Sequence, residues 1–514
     1  MTETPSKLIV RARWAFVQST DDPAPRRIDD AAVLVRDGVI EEIASAAELL
    51  ARHPGVATVG DGTQALLPGL INAHHHSNAV THIQHGIEDG VLEPWIMGNP
   101  RMRWTDPRLR TLVAAGRLLQ TGVTAVVDMA SVGNAYQSGH DDLTARLQAY
   151  EDSGLRGHLA GGVSFYSRLV HREDEAFVAS LPGDLATRVR AHYLDADKGS
   201  ERDYLTLMDG LIAEAKAMSR ARVWYGPPGP QWVGDDLMVA IADAAARHDT
   251  GIQTHVQESL YERLEAERAL GKSMTAHLRD LGVLSPRISF AHAVWSSEND
   301  VEILAETGAA VSHNPSSNLR LRSGVAPLNG FLAAGVTVGL GMDGTTLGDD
   351  EDMFAEIRLA HRLHRTPRIG GPAPTLDQTV GLVTTGGAKL LRREDELGRI
   401  DVGMAADMVL VDLDRVGWPY IAPEADPLAV VLQRAKQGDV RTVLIAGEVV
   451  LRDGWPTRID LRTAGAELAE QVSAVAYDED FAALYADLKP HIEAWYAGWE
   501  VPEMHPWIAH NSTH

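Results

Sequence analysis

Three consecutive histidines, His74-His75-His76, close the apolar run Leu66-Leu67-Pro68-Gly69-Leu70-Ile71. Further along, "THVQE" offers His255 and Glu258, "AHAV" offers His292 and "GMDG" offers Asp343. Imidazole nitrogens with a carboxylate oxygen suit a borderline divalent ion such as zinc, which can keep a position open for water. Side chains alternate along an extended chain, so His74 and His76 share a face while His75 points elsewhere. The candidate ligands are His74, His76, His255 and Asp343. Each alone has a plainer reading, a hydrogen-bonded strand-end histidine or an aspartate capping a turn. What favours a metal is that all of them fall at the same end of separate strands.

For these residues to meet, distant segments must converge. From about residue 66 to 395 short β-rich runs alternate with longer helical stretches, the pattern of parallel βα units. Eight runs qualify: "LLPGLINA", "VTAVVDMA", "LRGHLAGGV", "RVWYGPPG", "GIQTHVQE", "ISFAHAV", "AAVSHNP" and "VTVGLGMDG". Eight repeats suggest a closed barrel, whose C-terminal strand ends share one mouth. Residues 7 to about 64 read as short strands with Asp37-Gly38 as a hairpin signal. Strand-like text returns in "RIDVGMAADMVLVDLD" and "VRTVLIAGEVVLRDG". The expected fold is therefore α/β: a (β/α)8 TIM barrel over 65–395 with a small composite β-sandwich domain from residues 1–64 and 396–460. Residues 461–514 read as a helical tail, able to pack on the barrel or on a neighbouring subunit.

Composition narrows the partners. A net charge of -24 in 514 residues argues against nucleic acid or an anionic membrane. With no cysteine, disulfides, thiolate zinc sites and cysteine nucleophiles are all excluded. Lys7, Arg11 and Arg13 break up the N-terminal segment, which lacks the apolar core of a signal peptide, and no run of 18 apolar residues could span a bilayer. A cytoplasmic enzyme with a small-molecule substrate is expected.

"PGLINAHHH" resembles the opening motif of the amidohydrolase superfamily. "THVQE", "SFAHAVW", "VSHNPSSNLRLRSGVAPL", "GVTVGLGMDG" and "LGRIDVGMAADMVLVD" are similar to its later motifs in order, across roughly residues 8 to 455. The likeness is to the chlorohydrolase and aminohydrolase branch, which holds triazine hydrolases, guanine deaminase-like enzymes and methylthioadenosine/adenosylhomocysteine deaminases. That branch uses one metal ion, and "RVWYGPPG" offers no lysine to bridge a second.

The resemblance implies roles. Asp343 would bind the metal and take a proton from the attacking water, whose pKa a divalent ion lowers towards ~7. Glu258 would donate a proton to a ring nitrogen or leaving group, and His292 would hold the water or polarise the reacting carbon. Trp95, Trp232 and Trp295 follow strands one, four and six, where they could stack on a flat ring. His313, Asn314, Ser317 and Asn318 are candidate pocket residues. Adenosine-type relatives carry a histidine in "GPHAPY"; here "GPPGPQW" has Pro228 in its place.

The expected activity is hydrolytic deamination of an amino-substituted N-heterocycle, with one divalent ion per subunit, zinc first and iron, manganese or cobalt as alternatives. The same centre could instead cleave an amide, urea or cyclic amide. A non-catalytic scaffold would be expected to have shed the ligand set. A homo-oligomer is expected from the family.

Overall fold

The structure, a computed structural model, describes residues 6–19 and 24–502. Residues 1–5 and 20–23 of the anticipated N-terminal part, and the end of the tail at 503–514, lie outside the described residues.

The N-terminal strands β1 (Lys7–Val17), β2 (Arg26–Arg36) and β3 (Val39–Ser45) form an antiparallel meander. At the β2–β3 turn Asp37 and Gly38 have φ +49° and +83°, the left-handed pair that a tight hairpin needs. β4 (Ala57–Val59) and β5 (Gln64–Pro68) then run parallel to β1.

At Gly69 the chain passes from one sheet to the other. The stretch "LLPGLINA", read as one strand, is divided there between β5 and the first barrel strand, β6 (Leu70–His75). A Cβ at position 69 would lie 2.2 Å from Thr124 Oγ1, so only glycine allows the close crossing. The barrel continues with β7 (Val123–Ser131), β8 (Arg156–Gly162), β9 (Ala221–Tyr225), β10 (Ile252–Val256), β11 (Ile288–His292), β12 (Ala310–His313) and β13 (Val338–Leu340). Neighbours are parallel and sequential, and a parallel bridge between His75 and Asp343 joins the last strand end to the first. All eight predicted runs supply a barrel strand. Helices such as Gln137–Ser153 and Asp235–His248 bury one face against them, while Pro107–Gln120 is buried on nearly every side.

After the barrel, β14 (Met408–Asp412), β15 (Val440–Ile445), β16 (Glu448–Arg452) and β17 (Trp455–Pro456) complete the first sheet, with β14 antiparallel to β5. The two chain ends thus form one mixed sheet around a shared core that includes Val10, Val33, Leu66, Met408 and Leu444. A buried bidentate ion pair ties this sheet to the base of the barrel: Arg156 Nε and Nη2 donate to Asp407 at 2.7 and 2.9 Å.

The tail forms helices Leu461–Ala474 and Glu479–Ala497. The first packs Ala464 and Leu468 on Leu109 and Val113 of a barrel helix. The second buries Phe481, Leu484, Leu488 and Ile492 against Leu169, Val170 and Phe177. Among the described residues no helix is long and apolar enough to cross a membrane.

Candidate active site

Strand pleating does the first work. Near the end of β6 His74 turns into the barrel, and His76, just past the strand, follows on the same side. His75 turns outward to Ser77 and Glu351. On β10, Gln253 and His255 share one face, two residues apart. His292 ends β11, and Asp343 follows β13. Both His292 (φ +75°) and Asp343 (φ +55°) hold left-handed backbone, a conformation that costs about 1–3 kcal/mol and concentrates at functional sites.

The hydrogen bonds settle which imidazole nitrogen is free. His76 Nδ1 lies 2.8 Å from Met129 O, and His255 Nδ1 lies 2.7 Å from Pro228 O. A carbonyl only accepts, so each Nδ1 carries the hydrogen and each Nε2 keeps a lone pair. His74 Nδ1 meets Gln253 Oε1 at 2.9 Å, and Gln253 is held in that orientation because its amide donates to Ala73 O and Ser289 Oγ. His292 Nδ1 meets Asn318 Oδ1 at 2.8 Å.

Three of these Nε2 atoms converge on Asp343. His76 Nε2 and His74 Nε2 stand 3.2 and 3.5 Å from its Oδ1, and His292 Nε2 stands 3.7 Å from Oδ2. Among the described residues Nε2 of His74 and of His292 is buried without a hydrogen-bond partner. Ligand atoms about 2.1 Å from one tetrahedral ion are about 3.4 Å apart, which matches this spacing. Three overlapping triads could hold a cation: His74–His255–His292, His74–His76–Asp343 and Glu258–His292–Asp343. The four expected ligands fall in two of these triads, which share His74: His255 groups with His292, and His76 with Asp343.

Burial dictates protonation. It keeps His76 and His255 neutral and pulls His292 down to about 4 against the pull of Asp343. Burial alone would raise Asp343, whereas a proton on His74, His76 or His292 would hold it well below the usual carboxylate range. Glu258 goes the other way: burial first, then the nearby Glu262, Asp343 and Glu93, push it well above that range. Its carboxyl is a proton donor 3.4 Å from His292 Nε2.

A cavity of about 740 Å³ opens over this centre. Its walls include His76, His255, Glu258, Asp343, Trp95 and Trp232. The other candidates lie elsewhere. Trp295 donates its Nε1–H to Ser323 O at 2.8 Å, and buried His313 bonds His364 at 2.9 Å, both away from the cavity wall. Asn318 is taken up orienting His292, and Ser317 donates to Asp343 Oδ2 at 2.6 Å. Sequence reasoning missed Gln253, although its place two residues before His255 puts it on the same face. It also missed His82, Asn99, Arg110 and Arg146 in the cavity wall, which sit in loops and outer helices with no strand pattern to mark them.

The amidohydrolase family pattern matches residues 65–450. The chain belongs to the amidohydrolase family. A bacterial imidazolonepropionase-like composite domain matches residues 31–55 of this amidohydrolase, within the mixed sheet. It is 30% identical over 440 residues to a 5'-deoxyadenosine deaminase of Methanosarcina barkeri, covering 84% of this chain and 91% of that one. A 5-methylthioadenosine/S-adenosylhomocysteine deaminase of Syntrophobacter fumaroxidans is 29% identical over 439 residues, with the same coverage. In fold it is similar to a zinc-bound adenosine deaminase of Xanthomonas campestris (TM-score 0.76, 24% identity, 91% and 98% of the chains). The atrazine chlorohydrolase of Arthrobacter aurescens complexed with zinc is equally similar (TM-score 0.76, 24% identity, 90% and 100%). This amidohydrolase is a metal-dependent hydrolase of carbon–nitrogen bonds.

Proposed function

We propose that the enzyme removes an amino group, as ammonia, from an amino-substituted N-heterocycle. The observation that carries this reading is the meeting of the His74, His76 and His292 Nε2 atoms at Asp343, with the Glu258 carboxyl 3.4 Å from His292 Nε2. His74, His76, His255 and Asp343 would hold one divalent ion, with His292 beside it, and we assign zinc from the nitrogen-and-oxygen donor set. When bound, such an ion supplies Lewis acidity and lowers the pKa of its water towards about 7.

The chain's own residues then divide the proton work. Asp343, steadied by Ser317 Oγ–H and by Gly344 N–H at 2.7 Å, accepts the proton of the attacking water. Glu258 donates to a ring nitrogen as the amino-bearing carbon becomes tetrahedral. Asp343 then passes its proton to the amino group, the C–N bond breaks to release ammonia, and Glu258 takes back the hydroxyl proton as the carbonyl forms. General acid–base help of this kind is worth about 10²–10⁴ in rate. His292, fixed by Asn318, presents Nε2 to the water on the side of Glu258. Trp95 and Trp232 line the space for a flat ring.

The names of the deaminase relatives make adenosine-type compounds the first to try. Pro228 stands in the wall where the family resemblance implies an imidazole, so guanine, pterins, aminopyrimidines and aminotriazines belong in the same panel. Metal-loaded protein should release ammonia from at least one member and leave its ring intact. Ammonia from none, or a ring-opened acid instead, overturns the reading.

A further inference from the structure

The C-terminal helix Glu479–Ala497 touches the active site's supports through two tyrosines, Tyr485 and Tyr496. Tyr485 Oη–H donates to Pro94 O at 2.9 Å. Pro94 lies in the short helix Leu92–Ile96, whose Trp95 forms the cavity wall together with Asn99 and Met102 just beyond it. The same tyrosine ring lies under the Arg101 guanidinium, 4.4 Å from its centroid. It also faces the loop so closely that a Cβ on Gly98 would approach its Cζ to 3.1 Å. The wall segment therefore has the cavity on one side and the tail helix on the other.

The second contact reaches the proton donor from behind. Tyr496 Oη accepts the backbone N–H of His171 at 3.0 Å. His171 Nε2 lies 3.6 Å from Glu93 Oε1, and Ser259 Oγ–H donates to that same oxygen. Ser259 follows Glu258 in the chain and caps the next helix, accepting the Glu262 N–H at 3.1 Å. His171 packs on Glu93 without a hydrogen bond, and Glu93 and Ser259 are buried, so water cannot replace the bond between them without cost.

We infer that the C-terminal helix is a positioning element of the active site: Tyr485 sets the Trp95 wall, and Tyr496 sets the Glu93–Ser259 support of Glu258. Neither tyrosine touches the reacting atoms. Only the kinetic half of the inference rests on the deaminase reading, since it needs a substrate to time. Tyr485→Phe keeps the ring over Arg101 and removes one neutral hydrogen bond, a change of about two- to tenfold. It should raise KM by that factor and hold kcat and metal content within about twofold. Tyr496→Phe should show the complementary split, lowering kcat several-fold with KM nearly unchanged.

The test uses the full-length, metal-loaded enzyme and adds backbone hydrogen–deuterium exchange, which needs no substrate. Exchange over residues 92–102 should quicken in Tyr485→Phe, with the helix Asp235–His248 unchanged as an internal control. Unchanged exchange at 92–102, or kcat and KM falling together with metal loss, overturns the inference. If no compound in the panel is turned over, localised exchange still upholds the positioning role while the deaminase reading fails.

Discussion

Two buried aspartates sit at opposite ends of the barrel and show what the molecule does with a charge it takes out of water. Asp407, at the base, accepts both prongs of Arg156 and the Ala446 N–H at 2.8 Å, so its charge is paired and its oxygens are used. Asp343, at the mouth, receives, among the described residues, only Ser317 and Gly344 while three imidazole nitrogens face it. The first arrangement is complete within the protein. The second gathers electron pairs that repel one another until a cation lies between them. Left-handed backbone at His292 and Asp343 adds cost at the same place. One cluster joins two parts of the fold, and the other offers donors that could hold a cation.

Substitution should separate the two. Asp343→Asn should lower kcat by about 1,000-fold or more, because it removes a ligand and the proton acceptor together, while the melting temperature stays within a few degrees. Asp407→Asn should do the reverse: breaking a buried pair costs about 3–5 kcal/mol of stability, read by urea unfolding, and the protein that remains folded keeps its kcat. Equal losses of stability in both variants would erase the distinction. Glu258→Gln should reduce kcat by about 10²–10⁴ with the metal retained. Asn318→Ala, which frees His292 without touching a candidate ligand, should cost about 10–100-fold in activity or metal affinity.

Glu356 sharpens the comparison as an intermediate case. It is buried, with Ser316 alone donating to it among the described residues, and burial pushes its carboxyl up to about 7. The folded state therefore holds a proton that the unfolded chain releases near pH 4.5. Its stabilising effect is whole below that pH and is lost as pH rises through about 7. Between pH 5.5 and 7.5 the wild type should lose stability that Glu356→Gln does not, by a small margin in urea midpoints. A parallel decline in both would assign the slope to other groups.

The strand ends were legible because two regular periods mark them: alternation along each run, and eight runs in succession. His74, His76, His255, His292, Glu258 and Asp343 were found that way and do stand together. The change of sheet at Gly69 was not legible, since its cause is Thr124, 55 residues away in the chain. His313 and Trp295 follow strands as the ligands do, yet His364 and Ser323 draw them from the cavity, partners that no local pattern announces. The wall residues His82, Asn99, Arg110 and Arg146 depend on how loops and outer helices fold over the mouth.

Elemental analysis of the protein, purified without chelator, measures the centre most directly when the wild type is set beside a His74→Ala, His76→Ala double variant. The wild type should carry about one equivalent of a divalent transition metal per chain and the double variant almost none, both remaining folded. A wild type free of metal yet active, or a double variant that keeps its metal and its turnover, would contradict a cation held at Asp343.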